Sequence, residues 1–282
     1  MRNHFSCLIS CFKKDSPVQL GEALQSIADQ TLPPTEVVLV EDGELTRALY
    51  DILDKYSERL VLKRVRLKEN KGLGNALNVG LQKCSYDIVA RMDTDDICHP
   101  KRFETQVQFL AQHNDISIVG SWAKDIDASG AIVGERIFPT DHDDIKNIIW
   151  SCPFAHPTVA FRRADILNIG SYRTDIKRRQ DYDLWMRAAS KGLKFANIPE
   201  FLLFYRFTND YYKKNNFKVA WSQAMMGVHG LKELKTKSLY PYLGVFSPVI
   251  RAMLPSFIEK PVHRLFRKID PRSKLAERDN PN

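Results

Sequence analysis

Apolar residues alternate between two patterns along the N-terminal part of the chain. Four short apolar runs predict strands over residues 5–12, 36–43, 60–67 and 88–92. Between them, apolar residues recur every three or four positions and predict helices around residues 20–28, 48–56 and 74–84. This β-α-β-α-β-α-β order is typical of a mostly parallel sheet covered by helices on both faces. We therefore predict an α/β fold whose ligands bind beyond the carboxyl ends of the strands.

After residue 96, apolar runs typical of strands and the three- or four-residue repeat typical of helices follow each other less regularly. Runs on either side of Asp127-Ala128-Ser129-Gly130 indicate a hairpin. Helices are predicted over residues 103–110, 141–150, 181–190 and 211–234, and strands over 116–127, 131–138, 158–161, 195–198 and 201–207. With no internal repeat to divide the chain, we predict one domain over residues 1–230 and a helical, basic amphipathic appendage over residues 231–282.

Positive charge is concentrated at the C-terminus. The formal net charge is +8, and residues 231–282 hold eleven Lys/Arg against five Asp/Glu. The body is nearly neutral, so we expect no nucleic-acid partner, because such proteins carry a basic face on the folded domain. Basic residues mixed with aromatic ones suit an anionic membrane surface. We expect a peripheral contact of this tail with the inner membrane; the alternatives are packing on the body or a dimer contact.

The number and spacing of the cysteines, together with the hydropathy of the chain, indicate the cellular compartment. The five cysteines are odd in number and widely scattered, and no C-x-x-C pair occurs, so neither a disulfide framework nor a zinc site is expected. We see no signal peptide and no run of about 18 uninterrupted apolar residues. We therefore expect a cytoplasmic protein, located at the cytoplasmic face of the inner membrane if the tail binds there.

An acidic cluster, Asp93-Thr94-Asp95-Asp96, directly follows the fourth predicted strand. Its Asp-x-Asp spacing lets two carboxylates reach one divalent cation from the same loop, and Mg²⁺ prefers carboxylate oxygens together with substrate phosphates. The cluster therefore indicates a metal–diphosphate site. Two alternatives stay open: a solvated turn in which Asp96 caps the helix starting near Lys101, and a structural ion pair between Arg91 and Asp93.

Several short stretches form an ordered set along the chain: Phe12-Lys13-Lys14, Val40-Glu41-Asp42-Gly43, residues 70–80, Ala90-Arg91-Met92-Asp93-Thr94-Asp95-Asp96, His156-Pro157 and Gln180-Asp181-Tyr182-Asp183-Leu184-Trp185. Taken in this order, they resemble the family 2 glycosyltransferases, which have the nucleotide-sugar-binding, Rossmann-like GT-A fold. The resemblance covers about residues 5–206 and is closest to bacterial enzymes that assemble surface polysaccharides such as O-antigen. It implies an inverting transfer of a hexose or N-acetylhexosamine from a UDP-sugar to a saccharide acceptor, often lipid-linked, with Mg²⁺ or Mn²⁺ as cofactor.

The resemblance also implies roles for residues on the donor side. Asp42 is expected to contact the nucleoside, and Lys71 is the candidate polar contact of the 70–80 stretch. Asp93 faces the ribose or the metal, and Asp95 binds the metal directly. The cation would neutralise the charge that develops on the leaving diphosphate.

On the acceptor side, the resemblance makes Asp181 the candidate general base that removes the proton of the attacking hydroxyl. Gln180 departs from the Glu-Asp pair of the family, but the second position carries the role. Asp183 is the alternative base. His156 is expected to line the acceptor side, and Trp185 either stacks on the acceptor sugar or fills the core.

Two other functions stay open as alternatives, a sugar nucleotidyltransferase and a non-enzymatic binding module. A sugar nucleotidyltransferase shares a similar sheet, but it usually carries a glycine-rich loop after the first strand, and here no glycine occurs before Gly21. A non-enzymatic, basic surface-binding module would make the acidic cluster structural. Metal-dependent binding of UDP would argue against that module.

Overall fold

The computed structural model describes residues 4–207 and 217–253. The start of the predicted long helix, residues 211–216, and most of the basic tail, residues 254–282, lie outside these ranges. In the N-terminal part the elements are β1 (Phe5–Cys11), α1 (Pro17–Ala28), β2 (Glu36–Glu41), α2 (Arg47–Tyr56), β3 (Leu62–Arg66), α3 (Leu73–Lys83) and β4 (Ile88–Met92). These are the seven elements that the hydrophobic pattern predicts, in the predicted order.

The chain continues with shorter elements. They are β5 (Ile97–Cys98), α4 (Arg102–Gln112), β6 (Ile116–Ile126), β7 (Ile132–Arg136), α5 (His142–Asn147), two 3-10 helices (Ile149–Ser151 and His156–Thr158), β8 (Ala160–Arg162), α6 (Arg163–Asn168), α7 (Gln180–Ser190), β9 (Lys194–Arg206), α8 (Phe217–Glu233), α9 (Leu239–Gly244) and α10 (Ser247–Met253). The predicted β6–β7 hairpin is confirmed as an antiparallel pair.

The strand order β3-β2-β1-β4 forms a parallel half-sheet. Cys11 pairs with Glu41, and Ile9 pairs with Met92. This register brings the carboxyl ends of the three strands β2, β1 and β4 to one edge of the sheet. The loops that follow these strands therefore start side by side, and they contain Asp42, Asp15 and the acidic cluster.

The remainder of the sheet, β8-β6-β9-β5, is mixed. β8 is antiparallel to both β4 and β6, whereas β6 and β9 are parallel. The two strands predicted over residues 195–198 and 201–207 are in fact the single strand β9. The predicted gap falls at residues 199 and 200, where a register shift opposite Ser121 and Trp122 leaves Pro199 and Glu200 unpaired without ending the strand.

Side chains of the parallel strands alternate between two cores. Phe5, Cys7 and Ile9 face a cluster shared with α1, α2 and α4, whereas Leu8 faces a second cluster shared with α3 and α7. Both faces of the sheet are therefore buried, which explains why its strands are almost continuously apolar.

The described part of the C-terminal appendage packs on the body. Helix α8 lies against α7, Tyr240 makes an edge-to-face contact with Trp150 at 5.6 Å between ring centroids, and Leu231 and Val245 are buried in the second core. The predicted boundary at residue 230 falls inside α8. Among residues 4–207 and 217–253, none of the helices has the length and apolarity needed to cross a membrane.

Candidate active site

Asp42 organises a loop at the carboxyl edge of the sheet. It is 3% exposed, and its carboxylate accepts hydrogen bonds from the backbone N–H groups of Lys71 (2.9 Å) and Gly72 (3.0 Å). Gly43 has φ +84°, and a Cβ there would lie 2.8 Å from the nitrogen of Asn70, so only glycine fits. Both oxygens of Asp42 thus hold the loop, and the Lys71 side chain is exposed beside Glu69.

The three carboxylates of the acidic cluster converge. Ligand atoms of Asp93, Asp95 and Asp96 all lie within 4.8 Å of one another. Burial, and then the negative charge of Asp93, raise the pKa of Asp95 to about 6. Burial likewise raises the pKa of Asp96 well above its ordinary value. Like charges this close are stabilised by a shared cation.

Asp96 is turned into this cluster and does not cap a helix. It is 1% exposed, and its Oδ1 accepts a hydrogen bond from the backbone N–H of Arg206 at 2.8 Å. Its Oδ2 is buried with no hydrogen-bond partner among the described residues. Helix α4 begins after Lys101 without any side-chain cap, so the predicted capping role of Asp96 is wrong. A carboxylate oxygen buried without a donor fits a divalent cation, which accepts such ligands.

Arg91 forms an ion pair with Asp93, which is one of the two alternatives that the sequence left open. Arg91 is 1% exposed and donates from Nη2 to Oδ1 of Asp93. Its Nε and Nη1 are buried without a hydrogen-bond partner in the described part of the chain. Asp93 is therefore partly neutralised by an arginine of the protein, whereas Asp96 is held only by a backbone N–H and has no such ion pair with any described residue.

Asp15 ties the loop after β1 to the acidic cluster. Its Oδ2 accepts hydrogen bonds from the backbone N–H of Phe12 and from the hydroxyl of Thr94, both at 3.0 Å. Burial raises the pKa of Asp15 to about 6. The sequence analysis did not identify Asp15, because its partner Thr94 is distant in sequence and only folding brings the two together.

The first turn of α7 lies beside the start of α3. A Cβ on Gly74 would lie 2.6 Å from the carbonyl oxygen of Arg173 and 3.5 Å from Cβ of Gln180. Glycine at position 74 therefore allows the segment around Gln180 to approach the carboxyl edge of the sheet. This contact brings the Asp181 region to the same end of the molecule as the acidic cluster.

Asp181 and Asp183 have different surroundings. Asp183 is buried and accepts a hydrogen bond from Nε of Arg187 at 2.8 Å, with Arg173 3.6 Å away. Asp181 is half-buried, and its carboxylate makes no hydrogen bond or ion pair with another residue within 4–207 and 217–253. Asp183 is thus occupied with structural ion pairs, whereas Asp181 has a carboxylate available for substrate.

Tyr172 and His156 form a buried pair near these acids. Nε2 of His156 lies 3.0 Å from the Tyr172 hydroxyl. Burial lowers the pKa of His156 well below its ordinary value, so the ring is neutral near pH 7. The pKa of Tyr172 is raised by burial and by the charges of Asp181 and Asp93. Tyr172, which the sequence analysis missed, therefore lies within electrostatic reach of both the candidate base Asp181 and the acidic cluster at Asp93.

Trp185 is enclosed in the second core. It is 0% exposed, and its ring lies 5.5 Å from that of Phe154 and 6.0 Å from that of His156. This placement agrees with the core-filling alternative and leaves no ring face open to a sugar in this structure. The acceptor contacts of His156 and Trp185 stay predictions.

Comparison with protein families gives one matching model, "Glycosyl transferase family 2", over residues 6–170. An "Uncharacterized glycosyltransferase" of Haemophilus influenzae is 36% identical and covers 93% of this chain and 98% of its own. The amylovoran biosynthesis glycosyltransferase AmsE of Erwinia amylovora is 38% identical, covering 74% and 79%. An Escherichia coli UDP-Gal:alpha-D-GlcNAc-diphosphoundecaprenol beta-1,3-galactosyltransferase is 35% identical, covering 80% and 82%.

Solved structures share the fold at low sequence identity. Residues 1-349 of S. aureus TarS in complex with UDP-GlcNAc superpose with a TM-score of 0.65 at 19% identity, covering 97% of this chain and 90% of the TarS 1-349 chain. A mannosyltransferase of Pyrobaculum calidifontis in complex with GDP-Man and Mn²⁺ gives a TM-score of 0.61 at 16% identity, covering 96% and 81%. The parallel half-sheet with its mixed continuation is therefore a GT-A fold, as the sequence analysis predicted.

Proposed function

This chain belongs to glycosyl transferase family 2 and is a glycosyltransferase, and on that premise we propose that it transfers a hexose or N-acetylhexosamine from a UDP-sugar to a saccharide acceptor. The family decides against the sugar nucleotidyltransferase and the non-enzymatic module. The Escherichia coli relative is named for a UDP-galactose donor and a lipid-diphosphate-linked acceptor, and the Erwinia relative for amylovoran biosynthesis. These names support a lipid-linked acceptor in surface-polysaccharide assembly.

The observation that carries the proposal is the convergence of acidic side chains at the carboxyl edge of the sheet. Three carboxylates within 4.8 Å, one with a buried oxygen lacking a donor in the described ranges, fit a divalent cation. Asp95 and Asp96 would hold Mg²⁺ or Mn²⁺, with Asp93 shared between the cation, the ribose and Arg91. When bound, the cation would neutralise the charge on the diphosphate of the donor.

The remaining chemistry belongs to residues of the chain. The acceptor hydroxyl oxygen attacks the anomeric carbon, the bond from that carbon to the diphosphate breaks, and UDP leaves. The proton of the hydroxyl passes to the Asp181 carboxylate. Because the hydroxyl attacks from the side opposite the leaving diphosphate, this single displacement inverts the anomeric configuration. Asp42 and Lys71 line the nucleoside side, where the loop held by Asp42 also presents backbone groups.

The test is a donor screen on the purified full-length protein. We expect one UDP-sugar to support release of UDP in the presence of Mn²⁺ or Mg²⁺ and a saccharide acceptor, and chelation to stop the release. The same screen follows pyrophosphate, which a nucleotidyltransferase would release. Turnover that persists in excess chelator would contradict the proposed divalent cation. If no UDP-sugar supports release of UDP, UDP-sugars are not the donors and that part of the proposal is wrong.

The C-terminal helices support a peripheral membrane contact in the same proposal. Exposed apolar side chains gather on α8, α9 and α10, including Trp221 (46% exposed), Leu239 (70%) and Leu243 (64%). Leu239 and Leu243 belong to residues 231–282, a segment whose sequence holds eleven basic and five acidic residues, and Trp221 precedes that segment in the sequence. Apolar area next to positive charge matches an anionic lipid surface, which would bring the site to a lipid-linked acceptor.

Vesicle flotation tests this contact with the full chain. The double variant Leu239→Gln/Leu243→Gln should bind vesicles of anionic phospholipid at least several-fold more weakly than the unaltered protein, because it removes apolar area from the proposed face. The matched control is Val18→Gln/Val61→Gln, which changes two side chains of similar exposure, 70% and 68%, elsewhere. Equal flotation of both variants and the unaltered protein would rule out this face.

A further inference from the structure

The side chain of Arg206, the last residue of β9, donates four hydrogen bonds. It is 6% exposed. Its Nε donates to the carbonyl oxygen of Asp95 at 2.9 Å, and its Nη2 donates to Oε2 of Glu22 at 2.6 Å. Its Nη1 donates to the carbonyl oxygens of Asp127 (3.2 Å) and Ala128 (3.4 Å).

These bonds join three segments of the fold behind the acidic cluster. The carbonyl oxygen of Asp95 belongs to the cluster itself, Asp127 and Ala128 form the turn between β6 and β7, and Glu22 lies on α1. The backbone N–H of Arg206 also donates to Oδ1 of Asp96 at 2.8 Å. One residue therefore holds both the peptide and a carboxylate of the Asp95–Asp96 segment.

The acidic cluster needs such a support. Three carboxylates within 4.8 Å repel one another, and nothing in the covalent chain stops the loop from opening to separate them. A planar guanidinium with fixed donor directions can hold several acceptors at once, which a lysine ammonium does less well. Because its charge is paired with Glu22 at 2.6 Å, Arg206 holds the Asp95–Asp96 segment through these hydrogen bonds.

We propose that Arg206 is the positioning residue of the acidic cluster, holding the Asp95–Asp96 segment so that the three carboxylates converge on one divalent cation. The inference rests on the proposed function, because it requires that the acidic cluster binds the divalent cation. It adds a residue that contacts neither the cation nor the sugar. The quantity that Arg206 sets is the affinity for the cation.

The experiment measures Mn²⁺ binding to the full chain by isothermal titration calorimetry, together with the Tm of each variant. Arg206→Lys keeps the charge and the backbone N–H but loses the multiple side-chain bonds. We expect Mn²⁺ to bind about 10- to 100-fold more weakly, the usual effect of removing a partner that orients metal ligands. The loss should appear without any sugar donor present.

A matched arginine separates positioning from general stabilisation. Arg162 also donates to three backbone carbonyls, those of Leu110 (2.7 Å), Ile116 (3.0 Å) and His113 (3.1 Å). It pairs with Ile88 at the start of β4, at the opposite edge of the sheet from Asp93. Arg162→Lys should lower Tm to a similar extent while Mn²⁺ affinity stays unchanged.

The outcomes are distinguishable. If the unaltered protein binds no Mn²⁺, the cation of the proposed function fails and this inference fails with it. If the unaltered protein binds Mn²⁺ and folded Arg206→Lys binds equally tightly, this inference alone is overturned. If Arg206→Lys does not fold, Glu22→Ala decides: weaker Mn²⁺ binding to the folded variant supports the proposal, and unchanged binding overturns it.

Discussion

Replacement of Asp181 by asparagine should lower kcat by about 10²- to 10⁴-fold, the usual contribution of a general base. Asparagine has nearly the same shape but cannot accept the proton of the acceptor hydroxyl. The Tm should stay unchanged, because the Asp181 carboxylate makes no hydrogen bond or ion pair within the described ranges. The KM for the donor should also change little, since the proposed nucleotide contacts lie at Asp42 and Lys71. Initial rates of UDP release against donor concentration measure both parameters.

Asp183→Asn is the matched control for this substitution. Asp183 accepts a hydrogen bond from Arg187 and is buried, so its loss should reduce the free energy of unfolding by about 1.5–3 kcal/mol, the range for hydrogen bonds to charged groups. Per folded molecule, kcat should be largely retained. The reverse pattern, an active Asp181→Asn and an inactive but stable Asp183→Asn, would transfer the role of base to Asp183.

Asp95→Asn should nearly abolish transfer while the fold stays intact. The substitution removes the carboxylate assigned as the primary ligand of the cation, so binding of Mn²⁺ should fall below detection in a range where the unaltered protein saturates. At 100 times the Kd, the bound cation should stabilise the unaltered protein by about 2.7 kcal/mol, and the variant should show no such gain. Tm recorded with and without Mn²⁺ measures this difference.

The same variant has an opposite effect in the absence of a cation. Asp93, Asp95 and Asp96 repel one another within 4.8 Å, so neutralising one of them should stabilise the protein by about 0.5–2 kcal/mol. Asp51→Asn on α2, which changes an exposed carboxylate paired with Arg47, serves as the control and should leave the Mn²⁺-dependent rise in Tm unchanged. A full Mn²⁺ response in Asp95→Asn would remove this residue from the cation site.

The parallel half of the fold follows from local properties of the sequence. Strands β1 to β4 are buried on both faces, so each appears as a continuous apolar run, and the helices between them show periodic apolar residues. The turn at Gly43 and the acidic cluster could be placed at the ends of strands for the same reason. The mixed part was harder to predict, because Pro199 and Glu200 interrupt the apolar run of β9 whereas the hydrogen bonding continues across the sheet.

The sequence alone determined the fold class, and it predicted the carboxyl edge as the site together with the candidate carboxylates, since each depends on the order of neighbouring residues. Only the tertiary structure showed which of several candidate residues have occupied side chains and which has a side chain available for substrate. Asp183 meets Arg187, Asp96 meets the backbone of Arg206, and Trp185 lies in the core, whereas Asp181 keeps an available carboxylate. These contacts join segments as far apart as Asp96 and Arg206, and no local pattern records which residues the folded chain brings together. The buried support of the acidic cluster is therefore a property of the fold.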